Sequence, residues 1–223
     1  MIKVLCASTE PLSDNKKTDS CYRMLSDDRK QKADRCNSPE KKKLSIAAGR
    51  LLEMTLAADF GIDLNGICYI IGEHGKPSLS CAPQISFNIS HSRNFVLLSI
   101  SDDENIQLGC DIENIRPIDL RISERFFYHG EHDYLMSLTD ESSARNAFFR
   151  FWTLKESFMK AVGKGFALPL NAFEIYFDGH GEAHVKQNIS PLTFYFSEYE
   201  IPDFKISVCS SKKADAKFIL TEL

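Results

Sequence analysis

Net charge is scarce in this chain. Lys and Arg number 27 against 31 Asp and Glu, leaving −4 over 223 residues. A broad nucleic-acid-binding surface is therefore not expected, although local basic clusters fit that balance. Long apolar runs are missing as well: no stretch approaches the length needed to cross a bilayer. The opening Met1-Ile2-Lys3-Val4-Leu5-Cys6 lacks a signal-peptide layout and reads as a buried first strand. Seven cysteines are present, but they are scattered, odd in number and form no CxxC pair. That argues against a structural zinc site or a disulfide framework, and for free thiols in a reducing cytoplasm. There is no GxxxxGK[ST] loop, and no GxGxxG follows a strand, so neither a P-loop nor a Rossmann dinucleotide site is supported.

What is present is enough for one large domain or two small ones. Apolar residues make up 43% and charged residues 26%, the balance of an ordinary globular protein. Sixteen phenylalanines can supply a substantial core. Leu44, Ala47, Ala48, Leu51, Leu52, Thr55 and Leu56 recur at helical spacing. Ser38 before Pro39 caps that helix, and Gly61 stops it. Short strands follow at 67–71, 85–89, 94–101 and 106–112, with helices again at 120–128, 131–138 and 143–162 and strands at 173–177, 193–199, 204–209 and 218–220. Helix precedes strand in each half. The expected fold is therefore α+β, built from two similar halves, 1–104 and 105–223, although no residue-level repeat is visible.

Leu108-Gly109-Cys110-Asp111-Ile112-Glu113 carries chemistry. On a strand, Ile106, Leu108, Cys110 and Ile112 face one way into a core, while Gln107, Gly109, Asp111 and Glu113 face the other. The two carboxylates then stand roughly 7 Å apart at their Cα atoms, and Gly109 leaves open space beside them for a ligand or backbone. Like charges on one face are tolerated when solvated or when a cation lies between them. Hard oxygen ligands favour Mg²⁺ over zinc. Both readings stay open on this segment alone.

The segment Phe151-Trp152-Thr153-Leu154-Lys155-Glu156-Ser157-Phe158-Met159-Lys160 reads as a helix with Leu154, Phe158 and Ala161 on one face and Glu156 and Lys160 on the opposite side. Glu156 and Lys160 make either a surface i,i+4 ion pair, or a third acid and a phosphate-binding cation. Upstream, Gly75-Lys76-Pro77 is a rigid turn with a cation. Phe87-Asn88-Ile89-Ser90-His91-Ser92 places hydroxyl, amide and imidazole groups at a strand end, either as turn chemistry or as phosphate donors.

Taken in order, these four motifs resemble the 4′-phosphopantetheinyl transferase superfamily, in its larger two-half type that activates peptide and polyketide synthetases. The Gly-x-Asp strand stands here as Gly109-Cys110-Asp111, and the (Phe/Trp)-x-x-Lys-Glu-(Ser/Ala)-x-x-x-Lys helix as Trp152 to Lys160. The resemblance covers residues 75–168 well. It implies a pseudo-dimer of two α+β halves with coenzyme A in the cleft between them. It implies transfer of the phosphopantetheine arm of coenzyme A to a serine of an acyl- or peptidyl-carrier protein, releasing adenosine 3′,5′-bisphosphate. By the same resemblance Asp111, Glu113 and Glu156 hold Mg²⁺, and Lys76, Ser90, His91, Lys155 and Lys160 contact the coenzyme. The serine needs a base, for which Glu156 and Glu131 are the candidates; Glu131 also suits the first turn of a helix. Lys160 completes the catalytic set. Arg29, Lys32, Lys41, Lys43 and Arg50 are the N-terminal cations available to the 3′-phosphate. The helices at 118–142, with Phe126, Phe127, Tyr134 and Leu135, are the expected carrier surface. A monomer that engages neither nucleic acid nor membrane is expected. The alternatives are an inactive coenzyme-A- or carrier-binding protein of this fold, and another Mg²⁺-dependent phosphoryl-group enzyme.

Overall fold

A computed structural model describes residues 1–65 and 67–223. In chain order its elements are β1 (Ile2–Ser8), α1 (Asn15–Arg23), α2 (Asp27–Asp34), α3 (Pro39–Phe60), β2 (Tyr69–Ile71), β3 (Pro77–Leu79), β4 (Ser86–Ser92), β5 (Phe95–Ser101) and β6 (Leu108–Asn114). They continue with α4 (Ile122–Phe126), α5 (His129–Ser137), α6 (Glu141–Val162), β7 (Glu174–Phe177), β8 (Ala183–Lys186), β9 (Tyr195–Ile201), β10 (Phe204–Ser210) and β11 (Ala216–Thr221). Among the described residues no helix is long and apolar enough to cross a membrane.

The chain divides into two compact units, residues 1–105 with 215–223, and residues 106–214. Residues 215–223 thus belong with the first unit and not, as expected from sequence, with a second half 105–223. The difference comes from β11, which pairs parallel with β1, from Ile2 opposite Ala216 to Ala7 opposite Thr221. Parallel strands need a long crossover connection. Here that connection includes the whole second unit, which pairing propensity alone cannot reveal.

In the first unit the sheet order is β11-β1-β5-β4. Ile46, Ala47, Leu51, Leu52 and Leu56 of α3 join Leu5, Val96, Leu98 and Ile100 of the sheet in one buried cluster. Each fully buried leucine contributes about 1.5–3 kcal/mol. The ends of α3 follow its sequence signals. The Ser38 side chain accepts from the Lys41 backbone N–H at 3.2 Å, and Gly61 closes the helix at φ +64°. The charged run 27–32, not assigned to an element from sequence, forms α2 behind the N-cap Ser26. The fully buried Glu53 ties α2 down by accepting from Ser26 N at 3.0 Å and from the Tyr69 hydroxyl at 3.1 Å.

In the second unit the sheet order is β6-β10-β9, antiparallel throughout. The 22-residue α6 packs across β6 and β10. It repeats the design of the 22-residue α3: a side-chain N-cap, here Asp140 accepting from Ser143 N at 2.7 Å, and a glycine stop, Gly163 at φ +76°. Phe127, Phe148, Phe149, Phe151, Phe158, Phe173 and Phe194 are all buried in its core. Phe127 stacks on Phe148 with centroids 5.0 Å apart, and Phe158 meets Phe194 edge-on at 5.0 Å. Much of the chain's phenylalanine therefore serves to seat one helix.

Candidate active site

The site begins with the approach of α6 to β6. The space expected beside Gly109 is filled by helix backbone. A Cβ at Gly109 would lie 2.2 Å from Ser157 O and 2.3 Å from Ala161 N. Only a residue without Cβ allows this contact. Alternation along β6 indicates which residues share a face; it does not indicate that a helix lies against them. A hydrogen bond between the Ser157 and Ser207 hydroxyls at 2.9 Å adds a tie from α6 to β10, where Ser207 is the register partner of Asp111.

This seating brings α6 side chains to Asp111, which is only 4% exposed. Lys160 Nζ donates to Asp111 Oδ1 at 2.6 Å and to the Cys110 carbonyl at 3.2 Å. The carboxylate that Lys160 meets at ion-pair distance therefore belongs to another element, beyond the i,i+4 pair on its own helix. Burial works against the Lys160 ammonium, but Asp111, Cys110 and Glu156 outweigh it and hold its pKa above the ordinary lysine value.

Glu156 is half-buried on the same side of α6. Burial pushes its carboxyl above the ordinary carboxylate range, and the charge of Asp111 adds to that; Lys160 opposes, and Glu113 pushes upward again. Glu156 on α6 thus stands within electrostatic reach of both Asp111 and Glu113 on β6. Glu113 also holds Arg116 at 3.1 Å. The donor set is all carboxylate oxygen, the set a hard divalent cation takes, and its mutual repulsion is what such a cation relieves. On that observation the residues fit Mg²⁺. Among the described residues, Asp178, Glu182 and His184 on the β7–β8 hairpin bring their ligand atoms within 4.8 Å of one another.

Two sequence-predicted residues are placed elsewhere. Lys155 is completely buried, and its Nζ meets Glu131 Oε1 at 2.7 Å, Leu170 O at 2.9 Å and Phe173 O at 2.9 Å. Its three donors are thus used inside the protein, leaving none for a coenzyme phosphate. Glu131 is 2% exposed. It accepts from Ile175 N at 2.6 Å and from Tyr128 N at 2.9 Å, the latter as part of the capping box of α5. The helix-end role is the one the geometry favours for Glu131, whose carboxylate is taken up by Tyr128 N, Ile175 N and Lys155. Burial pushes the Glu131 carboxyl up and pulls Lys155 down to about 8, each opposed by its partner's charge.

Lys76, Ser90 and His91 belong to the first unit. Lys76 is half-buried at the turn between β2 and β3, where its carbonyl accepts from Gly72 N at 2.9 Å. Ser90 and His91 lie within β4 rather than beyond its end, so they point to opposite faces, Ser90 buried and His91 exposed. Of the five N-terminal cations, burial distinguishes Arg29. It is 4% exposed, with its guanidinium 4.5 Å over the Tyr69 ring and its Nε and Nη2 without a hydrogen-bond partner. Burial and the Arg29 charge lower the pKa of Lys32 one turn away. Of the apolar residues expected on a carrier surface, Phe126 and Tyr134 are exposed, whereas Phe127 and Leu135 are core.

A sequence model of the 4′-phosphopantetheinyl transferase superfamily matches residues 107–209, the span that holds β6, α6 and β10. The chain is 30% identical over 188 residues to the 4′-phosphopantetheinyl transferase Sfp of Bacillus subtilis (strain 168), covering 84% of this chain and 82% of that protein. It is 36% identical over 180 residues to 4′-phosphopantetheinyl transferase gsp of Aneurinibacillus migulanus, covering 80% and 73%. It is 27% identical over 222 residues to 4′-phosphopantetheinyl transferase psf-1 of Bacillus pumilus, covering 98% and 94%. With the Gly109–Asp111 strand and the Trp152–Lys160 helix seated on each other, and with likeness over most of its length, the chain belongs to the 4′-phosphopantetheinyl transferase superfamily.

Proposed function

We propose that this protein is an enzyme that transfers the 4′-phosphopantetheine arm of coenzyme A to a serine hydroxyl of an apo acyl- or peptidyl-carrier protein. The serine oxygen forms a new bond to the phosphorus that carries the arm. The pyrophosphate P–O bond breaks, and adenosine 3′,5′-bisphosphate leaves with the electron pair. The observation that carries this reading is the cluster of Asp111, Glu156 and Lys160, built by β6 and α6 together, in a chain of this superfamily.

Asp111, Glu113 and Glu156 would hold Mg²⁺, which when bound supplies charge neutralisation at the pyrophosphate. Lys160 offers a cation beside Asp111 for a phosphate oxygen. Glu156 is the carboxylate that takes the serine proton, since Glu131 is committed to the α5 cap, Ile175 and Lys155. Lys76, Ser90 and His91 serve the remaining phosphate contacts. The buried, incompletely hydrogen-bonded Arg29 guanidinium, with Lys32, suits the 3′-phosphate.

Incubating an apo carrier protein with coenzyme A, Mg²⁺ and this protein tests the proposal. A mass gain of one phosphopantetheine arm is expected. Retained coenzyme A binding without that gain would make the protein a binding module. Bisphosphate release without carrier would make it a different phosphoryl-group enzyme.

A further inference from the structure

The most constrained polar group outside the acid cluster is the buried Glu131–Lys155 pair, which joins four parts of the second unit. Glu131 Oε2 caps α5 through Tyr128 N, and Glu131 Oε1 holds both Ile175 N of β7 and Lys155 Nζ. Lys155 Nζ also gathers the carbonyls of Leu170 and Phe173 and lies 4.3 Å over the Phe173 ring. Every one of these partners is fixed in the core or in backbone structure. Lys155 precedes Glu156 on α6, so the two side chains leave the helix about 100° apart. Anchoring one therefore fixes the direction of the other. A side chain reaches about 5–6 Å from the helix axis, so a rotation of about 10° displaces the Glu156 carboxylate by about 1 Å. That is beyond the tolerance of about 0.5 Å for a working site.

We infer that Glu131 and Lys155 are positioning residues: their ion pair sets the rotation of α6 about its axis, so that Glu156 and Lys160 face Asp111. The inference rests on the reading of Asp111, Glu113 and Glu156 as the metal site. It assigns neither residue a contact with coenzyme or serine.

The test uses the full chain with Mn²⁺ as the probe, followed by electron paramagnetic resonance without coenzyme A, alongside transfer kinetics. The variants are Lys155→Met, Glu131→Gln and the double variant, all at a temperature where circular dichroism shows them folded. Where Lys155→Met fails to fold because Glu131 is left charged in the core, the double variant, which removes both charges, carries the test. Mn²⁺ affinity is expected to fall at least about tenfold, with a parallel rise in the KM for coenzyme A. A lowered Tm with wild-type Mn²⁺ affinity and KM would reduce the pair to a stabilising element and overturn the inference. Loss of kcat in Glu131→Gln with affinity and KM unchanged would make Glu131 the proton acceptor and overturn it too. If the wild-type protein took up no Mn²⁺, or Asp111→Asn bound it as well as wild type, the metal reading itself would fall. The positioning claim would then be decided by the KM for coenzyme A, through Lys160, which must still rise in the Lys155 variants.

Discussion

Gly109→Ala adds one methyl group where β6 meets the backbone of α6. Its Cβ would stand 2.2 Å from Ser157 O, 2.3 Å from Ala161 N and 2.9 Å from Lys160 C. All three are main-chain atoms of α6, so no rotamer change relieves the clash. Restoring ordinary contact at 3.4 Å or more requires strand and helix to part by more than an ångström. Overpacking of this kind costs about 1–3 kcal/mol, and more where backbone must move. The corresponding fall in Tm is about 2–12 °C for a chain of this length. The catalytic cost is of similar size. The Lys160–Asp111 contact at 2.6 Å and the approach of Glu156 both depend on that seating, and a displacement near 1 Å can lower a rate by about 10²-fold. Thermal melts and single-turnover transfer assays on Gly109→Ala and Gly179→Ala measure both effects. Gly179 has nothing within 4 Å of its Cβ position, so its variant should match wild type. A Gly109→Ala protein with wild-type Tm and transfer rate would refute the seating of α6 on β6, and with it the geometry of the site.

Asp111→Asn keeps the shape of the side chain and removes its charge; turnover should fall at least about 100-fold while circular dichroism is unchanged, and near-normal transfer would remove Asp111 from the site. Lys160→Ala should raise the KM for coenzyme A by about 10- to 100-fold, the value of a hydrogen bond to a charged group, and unchanged kinetics would leave Lys160 as a partner of Asp111 alone. Asp140, held below the ordinary carboxylate range by its bonds to Ser143, contributes stability that is full above the unfolded-state pKa of about 3.9 and is lost as pH falls through its lower folded value. The Tm gap between wild type and Asp140→Ala should therefore be constant above about pH 5 and close at lower pH; a gap that persisted to the most acid melts would rule out that cap.

The helices were the most legible part of the fold. Ser38-Pro39 with Gly61, and the apolar periods of α3 and α6, mark their elements because caps and stripes are local chemistry. The acids and Lys160 were legible as residue types at the right spacing. Their actual partners were not, because Asp111 finds Lys160 through the fold, 49 positions away. The burial of Lys155 and Glu131 has a partial signal in the sequence. Phe148, Phe151, Lys155 and Phe158 follow one apolar stripe, and Glu131 stands one turn before the core residue Leu135. A lysine and a glutamate at core positions call for each other. Arg29 stood among five cations of equal appearance; only burial under Tyr69 distinguishes it.

The parallel pairing of β11 with β1 also orders events during synthesis. Residues 106–214 are continuous and can complete their fold while still near the ribosome. The first unit, although translated earlier, waits with one edge of β1 open until residues 216–221 emerge. Until those residues are made, a chaperone or a growing aggregate would meet the nascent protein at that exposed edge of β1.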